Sequence, residues 1–184
     1  MSATELLKEE HRAIKLMLSI LSEVSQRLEA NEKVDPQDLS QMVEFIRVFA
    51  DRCHHGKEED LLFPALEETG VPREGGPIGV MLVEHDEGRA YARGLAEAVR
   101  RYRDGEEDAV RDIIENARNY ANLLTQHIDK EDNILYVIAD LHLSPEKQEE
   151  LVKEFERVEE ERVGAGLHEE FHHLLHHLKS TYLG

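Results

Sequence analysis

The sequence predicts an all-α protein: an up-down-up-down four-helix bundle with an additional C-terminal helix. Three observations predict it. Apolar residues recur every three or four positions over long stretches, no stretch alternates cleanly with period two, and the links between the first four stretches are short. A chain of 184 residues, 40% hydrophobic and 34% charged with five prolines and no tryptophan, has the palette of long helices around one sizeable core.

Ser2 and Glu5 form a capping box that opens a helix over 3–30. Asp35-Pro36 supplies an N-cap and first residue for a second helix over 36–63. Pro64 to Pro77, with Gly70, Pro72, Gly75 and Gly76, reads as a loop before a third helix over 78–103. Asp104-Gly105 marks a turn into a fourth helix over 106–140. Ser144-Pro145 opens a fifth over 145–182, broken near Gly164 and Gly166. Residues 1–143 are expected to form the bundle, and 144–184 a helical extension packed on it.

The acidic balance, a formal net charge of −18, argues against nucleic acid or an anionic membrane as the main partner. The single cysteine, Cys53, excludes an internal disulfide. Charges interrupt the apolar residues of MSATELLKEEH at once, unlike a secretion signal. No apolar run approaches the roughly 18 residues of a membrane span, so a cytoplasmic protein is expected.

The apolar stripes carry polar residues at inward positions. The first reads Leu7, His11, Ile14, Leu18, Leu21; the second Val43, Ala50, His54, Glu58, Leu61. The third reads Ile78, Leu82, His85, Ala92, Leu95; the fourth Leu124, His127, Glu131, Ile134, Ile138. Glutamate is rarely buried unless paired or bound to metal. Two inward glutamates and four inward histidines, spread over four helices, call for a common partner. A metal pair supplies one, since imidazole nitrogens and carboxylate oxygens suit iron and related ions. Residues four apart share a helix face, so each His-x-x-x-Glu pair can address one site.

Roughly one or two such pairs would arise by chance in this composition. The chain has four, from His54, His55, His127 and His142, and the last crosses a helix start. An internal comparison favours His54 over His55. HHGKEEDLLF from His54 aligns with HIDKEDNILY from His127, matching Lys57 with Lys130 and Glu58 with Glu131. His11, His54, Glu58, His85, His127 and Glu131 are thus the candidate ligands. His55, about 100° further round the helix, is an outer or surface residue or the alternative ligand.

In its order of EEHRAI, HGKEEDLLFP, EHDEGR and HIDKED, the chain resembles the hemerythrin-like, or HHE cation-binding, family over about residues 5–140. The resemblance implies two non-haem iron ions, oxygen-bridged, on those six residues. It also implies a protein that binds or reacts with oxygen, nitric oxide or hydrogen peroxide and works with a redox partner. There is one departure. Oxygen-carrying hemerythrins have a second histidine one turn after the third-helix ligand, where this chain has Arg89. One iron is then less saturated, or a residue from elsewhere completes it, and simple oxygen carriage is disfavoured. Arg89 is either a solvated surface residue or a fixed cation near the site.

A substitute ligand is offered by LHEEFHHLLHHL, where His168, and after it His172, borders the apolar face. HEEFH formally fits a zinc-protease motif, without a visible third ligand. The alternatives to a ligand-reactive centre are an iron- or oxygen-responsive sensing or storage module without turnover, and a metal-free bundle. The metal-free bundle accounts poorly for two core glutamates.

Overall fold

The computed structural model describes residues 1–184, and every element is helical. Six helices form: α1 (Ala3–Glu29), α2 (36–68), α3 (Pro77–Arg103), α4 (109–142), α5 (145–163) and α6 (Leu167–Tyr182). Ser2 caps α1 in a complete capping box with Glu5, and Asp35 and Ser144 cap α2 and α5 through their side chains. The expected fifth helix is two helices. Gly164 and Gly166 adopt φ of 90° and 88°, a region open to glycine, and end α5.

α2 does not stop at Phe63 as its Pro64 suggested. It runs on to Glu68. Just before the proline the helix winds wide over Glu58–Leu62, where the Phe63 amide donates five residues back to the Glu58 carbonyl. Such a turn leaves one carbonyl without its usual donor, so a residue lacking an N–H fits there at little cost. α4 winds wide in the same way over Glu131–Leu135, with the Tyr136 amide donating to the Glu131 carbonyl.

These wide turns change which residues face inward. Each inserts one residue into the 3.6-residue period, so the apolar stripe slips by one position. After Glu131 the buried residues are Leu135, Tyr136 and Ala139, while Ile134 is half exposed; after Glu58 the buried residue is Leu62, not Leu61.

α3 packs along α4, α4 along α1, and α2 against α3. α5 and α6 both lie against α1, and their Val163, Phe171, Leu175, Leu178 and Tyr182 belong to the main apolar core. The Tyr182 hydroxyl donates to Asp38 at 2.6 Å, tying α6 to α2. A second apolar cluster, from Leu7 and Phe63 to Tyr136 and Phe155, closes the other side. Polar side chains from α1 to α4 meet between the two clusters. No helix is long and apolar enough to cross a membrane.

Candidate metal centre

The wide turns over Glu58–Leu62 and Glu131–Leu135 each begin at a glutamate of a His-x-x-x-Glu pair, and irregular turns of this kind often mark functional sites. The six residues singled out in the sequence lie together, all at most 1% exposed. His11 comes from α1, His54 and Glu58 from α2, His85 from α3, and His127 and Glu131 from α4. His55 joins them, buried at 3% exposure. The α2 backbone is wound wide throughout Phe45–His55, which narrows the angle between successive side chains and lets both histidines face inward.

Two groups of metal-binding atoms form, each within 4.8 Å: His55, Glu58, His85 and His127, and next to them His11, His54 and Glu131. The carboxylates link the groups. Glu58 Oε1 is 3.4 Å from His54 Nε2 and 3.5 Å from His85 Nε2. Glu131 touches His127 Nε2 with one oxygen and lies 3.5 Å from His11 Nε2 with the other.

The donor set fits metal ions on two counts. First, each ring presents Nε2 to the centre and turns Nδ1 to an outer carboxylate. The pairs are His11 with Asp132 at 2.6 Å, His54 with Glu10 at 3.2 Å, His55 with Asp51 at 3.3 Å, His85 with Glu59 at 2.9 Å and His127 with Glu84 at 3.1 Å. A carboxylate at Nδ1 fixes the ring and leaves the Nε2 lone pair for a metal. Second, His54 Nε2, His55 Nε2, Glu58 Oε1 and both Glu131 oxygens are buried with no hydrogen-bond partner. Groups of this kind are costly to leave unpaired in a dry interior, and cations between them would satisfy all five.

Electrostatics agree. Burial, with the Glu131 charge beside it, pushes the Glu58 carboxyl up to about 8. Burial opposes ionisation of Glu131 too, but His127 and the contacts from Glu58 and His11 hold its carboxyl well below the usual range. Two carboxyls this close and this dry do not both ionise without a cation. Burial, with His85 and His54 nearby, holds His55 well below the ordinary histidine value, hence neutral.

The outer carboxylates are anchored in turn. Lys57, itself buried, donates to Glu10 at 2.8 Å and Glu159 at 2.6 Å, and Lys130 pairs with Glu84. Burial opposes the Glu10 charge, but His54 and Lys57 outweigh it and bring the carboxyl down to about 2. Arg89 does not reach the centre. It donates to Asp51 at 2.9 Å and pairs with Glu59, the outer partners of His55 and His85. Burial, then the Glu10 charge, pushes the Cys53 thiol up to about 12, which makes it an inert neighbour.

His168 and His172 are not brought to this centre. His168 groups with Glu10 and Glu159, where the Lys57 ammonium already pairs with both carboxylates, and His172 is exposed. Sequence reasoning missed the outer carboxylates and Tyr136. Their signal was adjacency: Glu10 and Glu84 precede His11 and His85, and Glu59 and Asp132 follow Glu58 and Glu131.

Comparison with known proteins agrees with this geometry. Uncharacterized proteins of Mycobacterium bovis and Mycobacterium tuberculosis are 24% identical over 163 residues, 89% of this chain. The chain spans 63% of the length of these relatives. Residues 2–139, three quarters of the chain, match the Hemerythrin HHE cation binding domain. The chain belongs to the hemerythrin HHE cation-binding family.

Proposed function

We propose that this protein is a non-haem di-iron protein that binds or reacts with a small ligand, oxygen, nitric oxide or hydrogen peroxide. In this reading residues 1–143 form an up-down-up-down four-helix bundle, residues 144–184 pack on it, and His11, His54, Glu58, His85, His127 and Glu131 hold the two ions. The observation that carries the reading is the set of buried, partnerless nitrogen and oxygen atoms that face one another between α1, α2, α3 and α4. Iron held there would supply one-electron redox chemistry and an exchangeable position for a small ligand.

The chain's own residues set the conditions for that chemistry. The Tyr136 hydroxyl donates to Glu58 Oε2 at 3.0 Å and lies 3.3 Å from His11 Nε2, orienting one carboxylate and leaving a proton donor at the centre. Phe63 and Tyr136 stack on His85 and His11, which keeps bulk water off both rings. Glu10, Glu59, Glu84 and Asp132 fix the ring orientations from outside.

The test is metal analysis with absorption spectra of the iron-loaded, reduced protein, exposed separately to oxygen, nitric oxide and peroxide. The reading expects a spectral change with at least one of them. Turnover of peroxide or nitric oxide would mark an enzyme, and binding without turnover a sensing or storage module. Absence of bound iron after anaerobic loading overturns the reading.

A further inference from the structure

The two halves of the centre are related residue by residue. Glu10-His11 corresponds to Glu84-His85, and His54, Lys57, Glu58 and Glu59 correspond to His127, Lys130, Glu131 and Asp132. The contacts repeat with them. His54 and Lys57 share Glu10 as His127 and Lys130 share Glu84, and Glu59 holds His85 as Asp132 holds His11. Two of the places where the correspondence breaks lie at the centre. His55 stands where the other half has Ile128, and Tyr136 stands where the first half has Phe63.

We propose that His55 is a seventh protein ligand, which makes the two metal positions unequal: His55, His85 and His127 on one side, His11 and His54 on the other, with Glu58 and Glu131 between. This rests on the di-iron reading above. His55 shares burial and a carboxylate at Nδ1 with the other four rings, and a partnerless Nε2 with His54. It is buried, its Nδ1 faces a carboxylate, and its Nε2 has no hydrogen-bond partner and lies within 4.8 Å of ligand atoms of Glu58, His85 and His127. Its ring stacks on His85 with centroids 3.9 Å apart. Arg89 occupies the position of the oxygen carriers' extra histidine, yet its guanidinium holds Asp51 and Glu59, the carboxylates that orient His55 and His85. The imidazole lost from α3 is replaced from α2, and Arg89 supports the replacement. The side with fewer protein ligands would then be that of His11 and His54, where the Tyr136 hydroxyl lies 3.3 Å from His11 Nε2.

A cavity of about 330 Å³ lies on the outer side of His55, lined by Asp51, Gly88, Arg89, Ala92 and Tyr120 among others. It would let free imidazole reach the space that His55→Gly vacates. The protein is loaded anaerobically with cobalt(II), and imidazoles are counted by X-ray absorption. Five histidines over two cobalt ions are expected in the unaltered protein. His55→Gly should lose one imidazole, weaken the second cobalt at least tenfold and alter its visible absorption. Millimolar imidazole should restore the spectrum. Asp51→Asn, which keeps the ring, should retain all five imidazoles. Four imidazoles over two bound cobalt ions in the unaltered protein overturn this proposal alone, whether or not the glycine variant folds. An unchanged spectrum in His55→Gly, or no response of that variant to imidazole, overturns it too. Failure of the unaltered protein to bind cobalt or iron overturns the di-iron reading beneath it.

Discussion

Lys57→Met isolates the anchoring of the centre from the metal itself. Methionine keeps the apolar stem that lies near the Phe155 ring and removes the ammonium, which is 5.6 Å from the ring centroid. Glu10, 6% exposed, then keeps only the His54 ring at 3.2 Å and the weak Cys53 thiol at 4.0 Å. Breaking a buried ion pair from one side costs about 3–5 kcal/mol. Solvent reaches the pair from the Glu159 side, which places this case near the lower bound, about 3 kcal/mol at pH 7. For a chain of this length that is a fall of about 6–12 °C in Tm. The pH dependence has a definite sign. The Glu10 carboxyl is depressed to about 2 in the folded state, so its stabilisation is present above the ordinary carboxylate value and lost as pH falls towards 2. The deficit of the variant should therefore be largest near neutral pH and shrink below about pH 4. The assay is urea denaturation of the metal-free protein followed by circular dichroism, with Lys57→Met/Glu10→Gln as the partner variant. Removing both charges should recover at least half of the loss. A single variant within about 1 kcal/mol of the parent at pH 7, or a double variant no more stable than the single, would refute the reasoning.

Three further outcomes are expected. Arg89→Ala frees Asp51 and Glu59, so metal affinity measured by competitive chelation should drop about 10–100-fold with little loss of helix content; unchanged affinity would mean these carboxylates hold their rings unaided. Metal should stabilise the native state by about 4 kcal/mol at free metal a thousandfold above Kd, or roughly 8–16 °C in calorimetry, and equal melting temperatures with and without iron would contradict the site. Despite burial, neighbouring carboxylates raise His11 and His127 to about 9 in the metal-free protein, so metal binding below pH 9 must displace protons and tighten as pH rises. Titration calorimetry in buffers of different ionisation enthalpy measures the protons released; none released at pH 7 would contradict those contacts.

The helices were legible because their caps and stripes are local. Ser2, Asp35 and Ser144 act as caps where the sequence placed them. Pro64 signals a helix end only for regular winding, in which its missing amide leaves a carbonyl unpaired; the wide turn ahead of it needs no donor there. The same turns hid the inward role of Leu135 and Tyr136, since a fixed period cannot register an inserted residue. Inward placement of His11, His54, Glu58, His85, His127 and Glu131 could be read from the stripes. His55 could not, because a regular helix turns it about 100° from His54 while α2 is wound wide over Phe45–His55. The outer carboxylates depend on contacts between helices, such as Glu59 with His85 and Glu84 with His127, and no local pattern reports these.

The central claim, a pair of iron ions on buried histidines and glutamates, is tested most directly by metal content after anaerobic iron loading and removal of free metal. About two iron ions per chain are expected, with a sharp loss in His54→Ala and in His127→Ala while the helical signal persists. Iron near zero in the unaltered protein, or full iron retained by both variants, would contradict it.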